Sequence, residues 1–388
     1  MERFGGGVPV NNGLYSIPID IADLPEGWNY IVLSAKRPAT RWTVGVECFI
    51  NKIANQASVF VPALEVKNAR IAGNVTNNTG YMLEDDYSAT GCYSLSEGYD
   101  EESPPEYIKL DEDGIPTVQY SDGWFYNPVT IAQQALRVYG SYLQTQSAAD
   151  KEKFLHFANW FISNQEENGS FPYDFSFAMR PTVILPRGFV SSMAQGQVLS
   201  VLARAFVVTD DEKYLACGAR ALDFMLQSGD TDIFQGGSRS LEDLCNSNSD
   251  MKEYRELRIY EEYVFDPSTY VLNGDLYALL GIADWSAVAS ENYGAAKAKA
   301  SFEEGIKAIE VMLPYYDFYG WSSYDLLQYT ADDLDPHFGS RYAHRCHIEL
   351  LHVLADLSGS ETLAKYAKKF AEYADDPFWA QIEVLARN

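Results

Sequence analysis

SMAQGQVLSVLARAFVVTDDEKYLACGARALDFMLQ, residues 192–227, decides the fold. Apolar residues recur at three- and four-residue steps through 192–209 and again through 210–227. A short polar break separates the two runs, so the stretch reads as a helical hairpin. Three more pairs follow the same plan: PVTIAQQALRVYGSYLQT (128–145) with DKEKFLHFANWFISNQ (150–165), NGDLYALLGIADWSA (273–287) with AAKAKASFEEGIKAIEVML (295–313), and HIELLHVLADLS (347–358) with SETLAKYAKKFAEYA (360–374). Phe154-Leu155 and Tyr214-Leu215 stand at the same place in the second helices of two pairs, each behind an acidic start. Repeated hairpins with short turns predict a mainly α fold, an α/α toroid in which inner and outer helices alternate.

Residues before about 105 read differently. WNYIVLSA (28–35), WTVGVECFI (42–50) and ASVFVPALEV (57–66) are β-branched and aromatic between Pro, Asn and Gly, which is strand chemistry. The toroid is therefore expected to follow a smaller β-rich N-terminal portion. Residues 71–107 are polar, Gly/Asn-rich and acidic, a loop ending in the EESPPE linker. The expected regions are 1–105 and 106–388.

With 29 Lys+Arg against 55 Asp+Glu, the formal charge is −26. Nucleic acid and anionic membrane surfaces would be repelled, which excludes them as expected partners. Five cysteines without CxxC spacing make neither a disulfide scaffold nor a zinc ribbon. No signal peptide and no membrane-length apolar run is seen, so a soluble chain, cytoplasmic or trimmed for secretion, is expected. Aromatic residues make up 14% of the chain, a supply that suits a sugar cleft as well as an aromatic core.

Long Gly- and aromatic-rich connections at 168–190, 235–268 and 314–343, with 114–133, are expected to converge on one mouth. They bring Trp124, Tyr126, Tyr173, Arg180, Arg187, Glu261, Glu262, Tyr263, Tyr324, Arg341 and Tyr342, an aromatic cleft fit for an acidic carbohydrate and for acid/base work. In YEEY (260–263) a carboxylate beside rings has its charged form disfavoured and its pKa raised. His344 and His347 share a helix face, but there is no HExxH and no evident third ligand, so no metal is expected. The chain also lacks GxSxG, P-loop and GxGxxG patterns, which removes the main support for serine hydrolase, nucleotidase and dinucleotide readings.

GIPTVQYSDGWFYNPVTIAQQAL (114–136), NQEENGSFPYDF (164–175), GFVSSMAQGQVLSVLARAF (188–206), YEEYVFDPSTYVLNGDLYALLGIAD (260–284), LPYYDFYGWSSYDL (313–326) and YAHRCHIELLHVL (342–354) resemble, in order, blocks of the D-glucuronyl C5-epimerase family. The resemblance implies inversion of C5 of a uronic acid in a heparosan-like polysaccharide, D-glucuronate to L-iduronate, by proton abstraction and return without a cofactor. It implies Glu262, Tyr263, Tyr324 and Tyr342 as catalytic groups, adds Gln195, Asn273 and His347 to the substrate contacts, and hints at a homodimer. Three departures stand out. Tyr342 precedes His347 by five positions instead of four, an extra residue expected to sit in a loop; Leu327 follows Tyr-Asp-Leu where animal members carry a basic residue; and RGF (187–189) replaces PGW. The β-domain that animal members insert before NQEENG, with its metal site, is missing. A uronate lyase or glycoside hydrolase on the same scaffold, or a non-catalytic glycan-binding homologue, is the alternative.

Overall fold

The computed structural model describes residues 27–36, 43–53, 56–60 and 87–374, except 96–97, 101–102, 181–182, 318–320, 332–333 and 335–336. The side chains of the first three strands, of 249–250 and of Arg341 lie outside that description. So do the end of the expected third strand, 61–66, and the polar stretch through 86. The chain divides into two compact units, Met1–Thr79 with Gln381–Asn388, and Gly80–Ala380.

The first unit contains an antiparallel sheet of β1 (Gly27–Lys36), β2 (Thr43–Ile53) and β3 (Gln56–Phe60), in that order. Gly27 lies opposite Lys52, Lys36 opposite Thr43, and Phe49 opposite Phe60. These are the strands their β-branched composition predicts.

The second unit is mainly α. A small antiparallel sheet, β4 (Ile108–Leu110), β5 (Pro116–Tyr120) and β6 (Gly123–Tyr126), leads into α1 (Pro128–Thr145). Asn127 caps α1 by accepting from the N–H groups of Val129 and Thr130, and Pro128 fills the first helical position, where a missing N–H costs nothing. The hairpins are α1 with α2 (Ala148–Asn164), α3 (Ser192–Thr209) with α4 (Glu212–Leu226), α5 (Leu272–Val288) with α6 (Ala295–Tyr316), and α7 (Arg341–Ser358) with α8 (Glu361–Ala374). The first helices pack in series, α1 on α3, α3 on α5 and α5 on α7, and each carries its hairpin partner. Asp210 closes α3 in the left-handed region, φ 57°, and Asp211 opens α4 by capping Lys213 N–H, so the acidic pair is the turn itself. α3 and α5 are buried nearly all round, as helices of an inner layer must be.

The centre of this layer is a glycine contact. A Cβ on Gly281 of α5 would fall onto the Gly196 carbonyl oxygen of α3, and one on Gly196 would stand 2.6 Å from the Ala278 Cα. The two backbones touch because neither carries a side chain there.

The sequence reading sets the boundary near 105, whereas the compact units divide between Thr79 and Gly80. The reason is a buried ion pair. Arg204 of α3 meets Asp284 of α5 at 2.6 Å, and both are excluded from solvent. The Tyr87 hydroxyl donates to Asp284, while Arg204 donates to the carbonyls of Ser88 and Gly91. Tyr139 of α1 donates to the Thr90 carbonyl, and Arg137 to that of Gly98. The segment from Tyr87 to Gly98 thus belongs to the helical unit.

Gly281→Ala is expected to force α3 and α5 apart and cost about 3 kcal/mol of stability. Gly140→Ala on α1, where the nearest atom to a new Cβ is 3.8 Å away, is expected to gain up to about 1 kcal/mol. Urea unfolding of both variants checks the contrast.

Candidate active site

A cavity of about 480 Å³ opens in the second unit. Its wall includes Tyr120 at the end of β5, Asn127 at the cap of α1, Tyr173, Phe175, Phe177 and Phe189 from the 165–191 connection, and Ser191 and Met193 at the head of α3. Glu262, Tyr263, Asn273, Tyr324, His337, Ser340 and Tyr342 complete the polar side.

The two glutamates of YEEY have different tasks. β7 (Ser238–Ser240) pairs with β8 (Arg258–Tyr260), and the extended chain leaving β8 turns successive side chains to opposite sides. Glu261 is fully buried and accepts from the N–H groups of Thr269 and Tyr270 and from the Thr269 hydroxyl, which closes the 261–270 loop. Its own carbonyl accepts from Ser192 N–H at the start of α3. Burial pushes the Glu261 pKa up to about 7 against the pull of those donors. The residue builds the site and does not line it.

Glu262 faces the cavity. Its side chain lies over the first turn of α5, where a Cβ on Gly274 would meet its Cβ and stand 2.7 Å from Oε2. The Tyr324 hydroxyl donates to Oε1 at 3.2 Å, and Oε2 has no hydrogen-bond partner. Burial therefore dominates and holds the Glu262 pKa at about 7, with the neighbouring phenols Tyr263 and Tyr324 pulling weakly the other way. The Tyr263 and Tyr324 hydroxyls are themselves pushed well above the ordinary phenol range, by burial first and then by the Glu262 charge. Near neutrality the phenols keep their protons while the carboxyl is poised to gain or lose one.

Tyr324 is fixed from several directions. Its carbonyl accepts from Leu272 N–H at the start of α5, its N–H donates to the His337 carbonyl at 2.6 Å, and its ring meets the His337 ring edge-on at 4.9 Å. Tyr263 packs against Phe177 and Phe189, and Tyr173 stacks on Phe189 with centroids 4.4 Å apart.

Of the residues expected at the cleft, Glu262, Tyr263, Tyr324, Tyr342, Tyr173 and Asn273 line the cavity together. The others lie elsewhere. Trp124 lies beneath Lys109, and Tyr126 donates to Asp111 and packs on Trp160. Arg187 pairs with Asp174 on the surface, and Arg180 lies 3.5 Å from Asp325. Gln195 is spent on the backbone behind the wall, accepting from Phe171 N–H and donating to the carbonyls of Gly169 and Ala221. His347 is fully buried and shares the Ser322 hydroxyl with His344, whose other ring nitrogen meets the Phe370 carbonyl. Arg341 opens α7, but its side chain lies outside the described residues. No loop insertion separates Tyr342 from His347: Ser340 caps α7 through Ala343 N–H, and the helix is continuous from Arg341. Leu327, at the place of the expected basic residue, is fully buried and brings no charge.

Sequence reasoning missed Tyr120, Asn127, Phe175, Phe177, Phe189 and His337 as wall residues. A signal existed in FPYDFSF (171–177), whose aromatics at every second residue share one face of an extended chain.

The raised Glu262 pKa has a consequence for stability. The native state binds this proton more tightly than the unfolded chain does, so the contribution is fully present below the ordinary carboxyl range and lost as pH rises through about 7. Glu262→Gln cannot ionise, and Glu261 is common to both proteins. The variant is expected to exceed the parent by about 2 kcal/mol at pH 8.5, with the gap shrinking toward zero at pH 5. Urea midpoints at the two pH values check this; a gap independent of pH contradicts it.

Comparison with known proteins follows the same blocks. The profile of the family described as D-glucuronyl C5-epimerase C-terminus matches residues 165–372, which contain Glu262, Tyr263, Tyr324 and Tyr342. A D-glucuronyl C5-epimerase of Caenorhabditis elegans is 34% identical over 232 residues, 57% of this chain but only 35% of the worm protein. An uncharacterised protein of Methanocaldococcus jannaschii is 28% identical over 298 residues, 69% of this chain and 86% of the archaeal one. With the profile spanning three of the four hairpins in full or in large part, and the whole Glu262 cluster, the chain belongs to the D-glucuronyl C5-epimerase C-terminus family.

Proposed function

We propose that the protein inverts C5 of uronic acid residues in a heparosan-like polysaccharide, turning D-glucuronate into L-iduronate within the Glu262 cavity. The observation that carries the reading is the buried Glu262 carboxyl, poised at about 7 and hydrogen-bonded to Tyr324 on an aromatic wall. Family membership supports the epimerase class, and the geometry supports the division of labour among the side chains.

The hydrogen on C5 is adjacent to a carboxylate, so its removal leaves an electron pair that spreads into that group as an enediolate. A base on one face and an acid on the other are sufficient for inversion. Ionised Glu262 takes the C5 proton, and its pKa near the working pH suits both halves of a reversible exchange. Tyr263, protonated because its pKa is raised, donates a hydrogen bond to the oxygens on which charge develops, and Tyr324, likewise protonated, turns its proton to them from Glu262 Oε1 as that carboxyl is neutralised. Tyr342, on the first turn of α7 and 40% exposed, gives its phenolic proton to the opposite face. Its phenolate regains a proton from solvent, and Glu262 releases the one it took, so nothing is consumed. The stacked rings of Tyr173, Phe175 and Phe189 offer apolar faces to sugar C–H groups.

Iduronate formation from heparosan, read by proton NMR, is expected for the parent. Glu262→Gln and Tyr263→Phe should each lower it by at least about a hundredfold while leaving the folded spectrum intact. Activity retained in either variant removes that residue from the mechanism.

A further inference from the structure

Abstraction at C5 puts a second negative charge on the uronate carboxyl, inside a cavity that already holds Glu262 and in a chain of net charge −26. Some group must meet that carboxyl with positive charge or strong donors. Among the described residues, the cavity wall carries no lysine and no arginine. It carries one imidazole.

We propose that His337, held by Asp325, binds the carboxylate of the uronyl residue; the proposal rests on the cavity taking a uronyl sugar. His337 Nδ1 stands 2.8 Å from Asp325 Oδ2, and Asp325 is fully buried while the imidazole is 40% exposed. Asp325 is itself pinned, since Oδ1 accepts from Leu327 N–H at 3.1 Å and lies 3.5 Å from Arg180. The His337 carbonyl is held by the Tyr324 N–H and the Ser323 hydroxyl, so backbone and ring are both fixed. With Nδ1 turned to Asp325, Nε2 is left for a ligand. With a carboxylate at Nδ1 and the substrate carboxylate at Nε2, both ring nitrogens serve as donors, one hydrogen bond to each, beside the Tyr324 ring that stands next to Glu262. His337 therefore orients the sugar with its carboxyl toward the 337 loop and takes up the charge that develops as the proton leaves C5. Asp325 acts through His337 and is a positioning residue.

The test separates charge recognition from structure. Binding of a heparosan oligosaccharide and of its carboxyl-reduced counterpart is measured by calorimetry, with melting temperature as the folding control. The parent is expected to prefer the carboxylate form by about tenfold or more. His337→Gln should erase that preference while binding the reduced oligosaccharide as the parent does, a result that collapse of the site would not give. His337→Lys, which puts an ammonium donor at the same place, should restore most of it. A preference that survives His337→Gln, or a parent without one, overturns the proposal. Deuterium exchange at C5, run in parallel, distinguishes the two readings. Exchange with the preference unmoved in His337→Gln tells against His337 alone, and a His337-dependent preference without any exchange tells against epimerisation alone.

Discussion

The contact between Gly196 and Gly281 sets the geometry on which the rest depends. Two helices whose backbones touch cannot slide or tilt far without losing that contact, and a single methyl group on either side would separate them. Because α3 is held near its start against the middle of α5, the heads of both helices are delivered to one place: Ser191 and Met193 from one, Asn273 from the other. Gly274 repeats the device at smaller scale, leaving the space over the first turn of α5 that Glu262 occupies. The far ends of the same helices carry Arg204 and Asp284, whose buried pair anchors the segment from Tyr87.

The chemistry of the cavity follows from what it withholds. A carboxyl placed among rings, with one donor on one oxygen and none on the other, does not recover in hydrogen bonds what it loses in hydration. Its pKa rises until ionisation falls near neutrality, and the same burial keeps the surrounding phenols protonated. Glu261, one residue earlier, is pushed up to about 7 as well; what separates the two is placement, since Glu261 is spent on the N–H groups of Thr269 and Tyr270 while Glu262 faces the cavity.

How much of this was legible follows from the range of the interactions involved. Helical hairpins announce themselves locally through period and caps, so the runs at 128–145, 192–209 and 273–287 correspond to α1, α3 and α5 to within a residue or so. Strand chemistry likewise located β1 to β3. YEEY could be marked as a place where a carboxylate meets rings, but sequence could not divide its two glutamates, because that depends on which way the chain leaves β8. The resemblance implied Gln195 as a substrate contact; its partners, Phe171, Gly169 and Ala221, come together only in the fold. Tyr87 joins the helical unit through a contact of the same long range, to Asp284 nearly two hundred residues away. His337 carries no sequence signal of its own, and its exposure and its distance to Asp325 distinguish it from His344 and His347 in the core.

The central claim is that this cavity exchanges the C5 proton of a uronyl residue and returns it to either face. Incubating the protein with a glucuronate polymer in deuterated water and locating the label by NMR tests it most directly. The account predicts deuterium at C5 in both glucuronate and newly formed iduronate, with chain length unchanged. Absence of label across uronyl polymers, or a 4,5-unsaturated uronate at a new chain end, would contradict it.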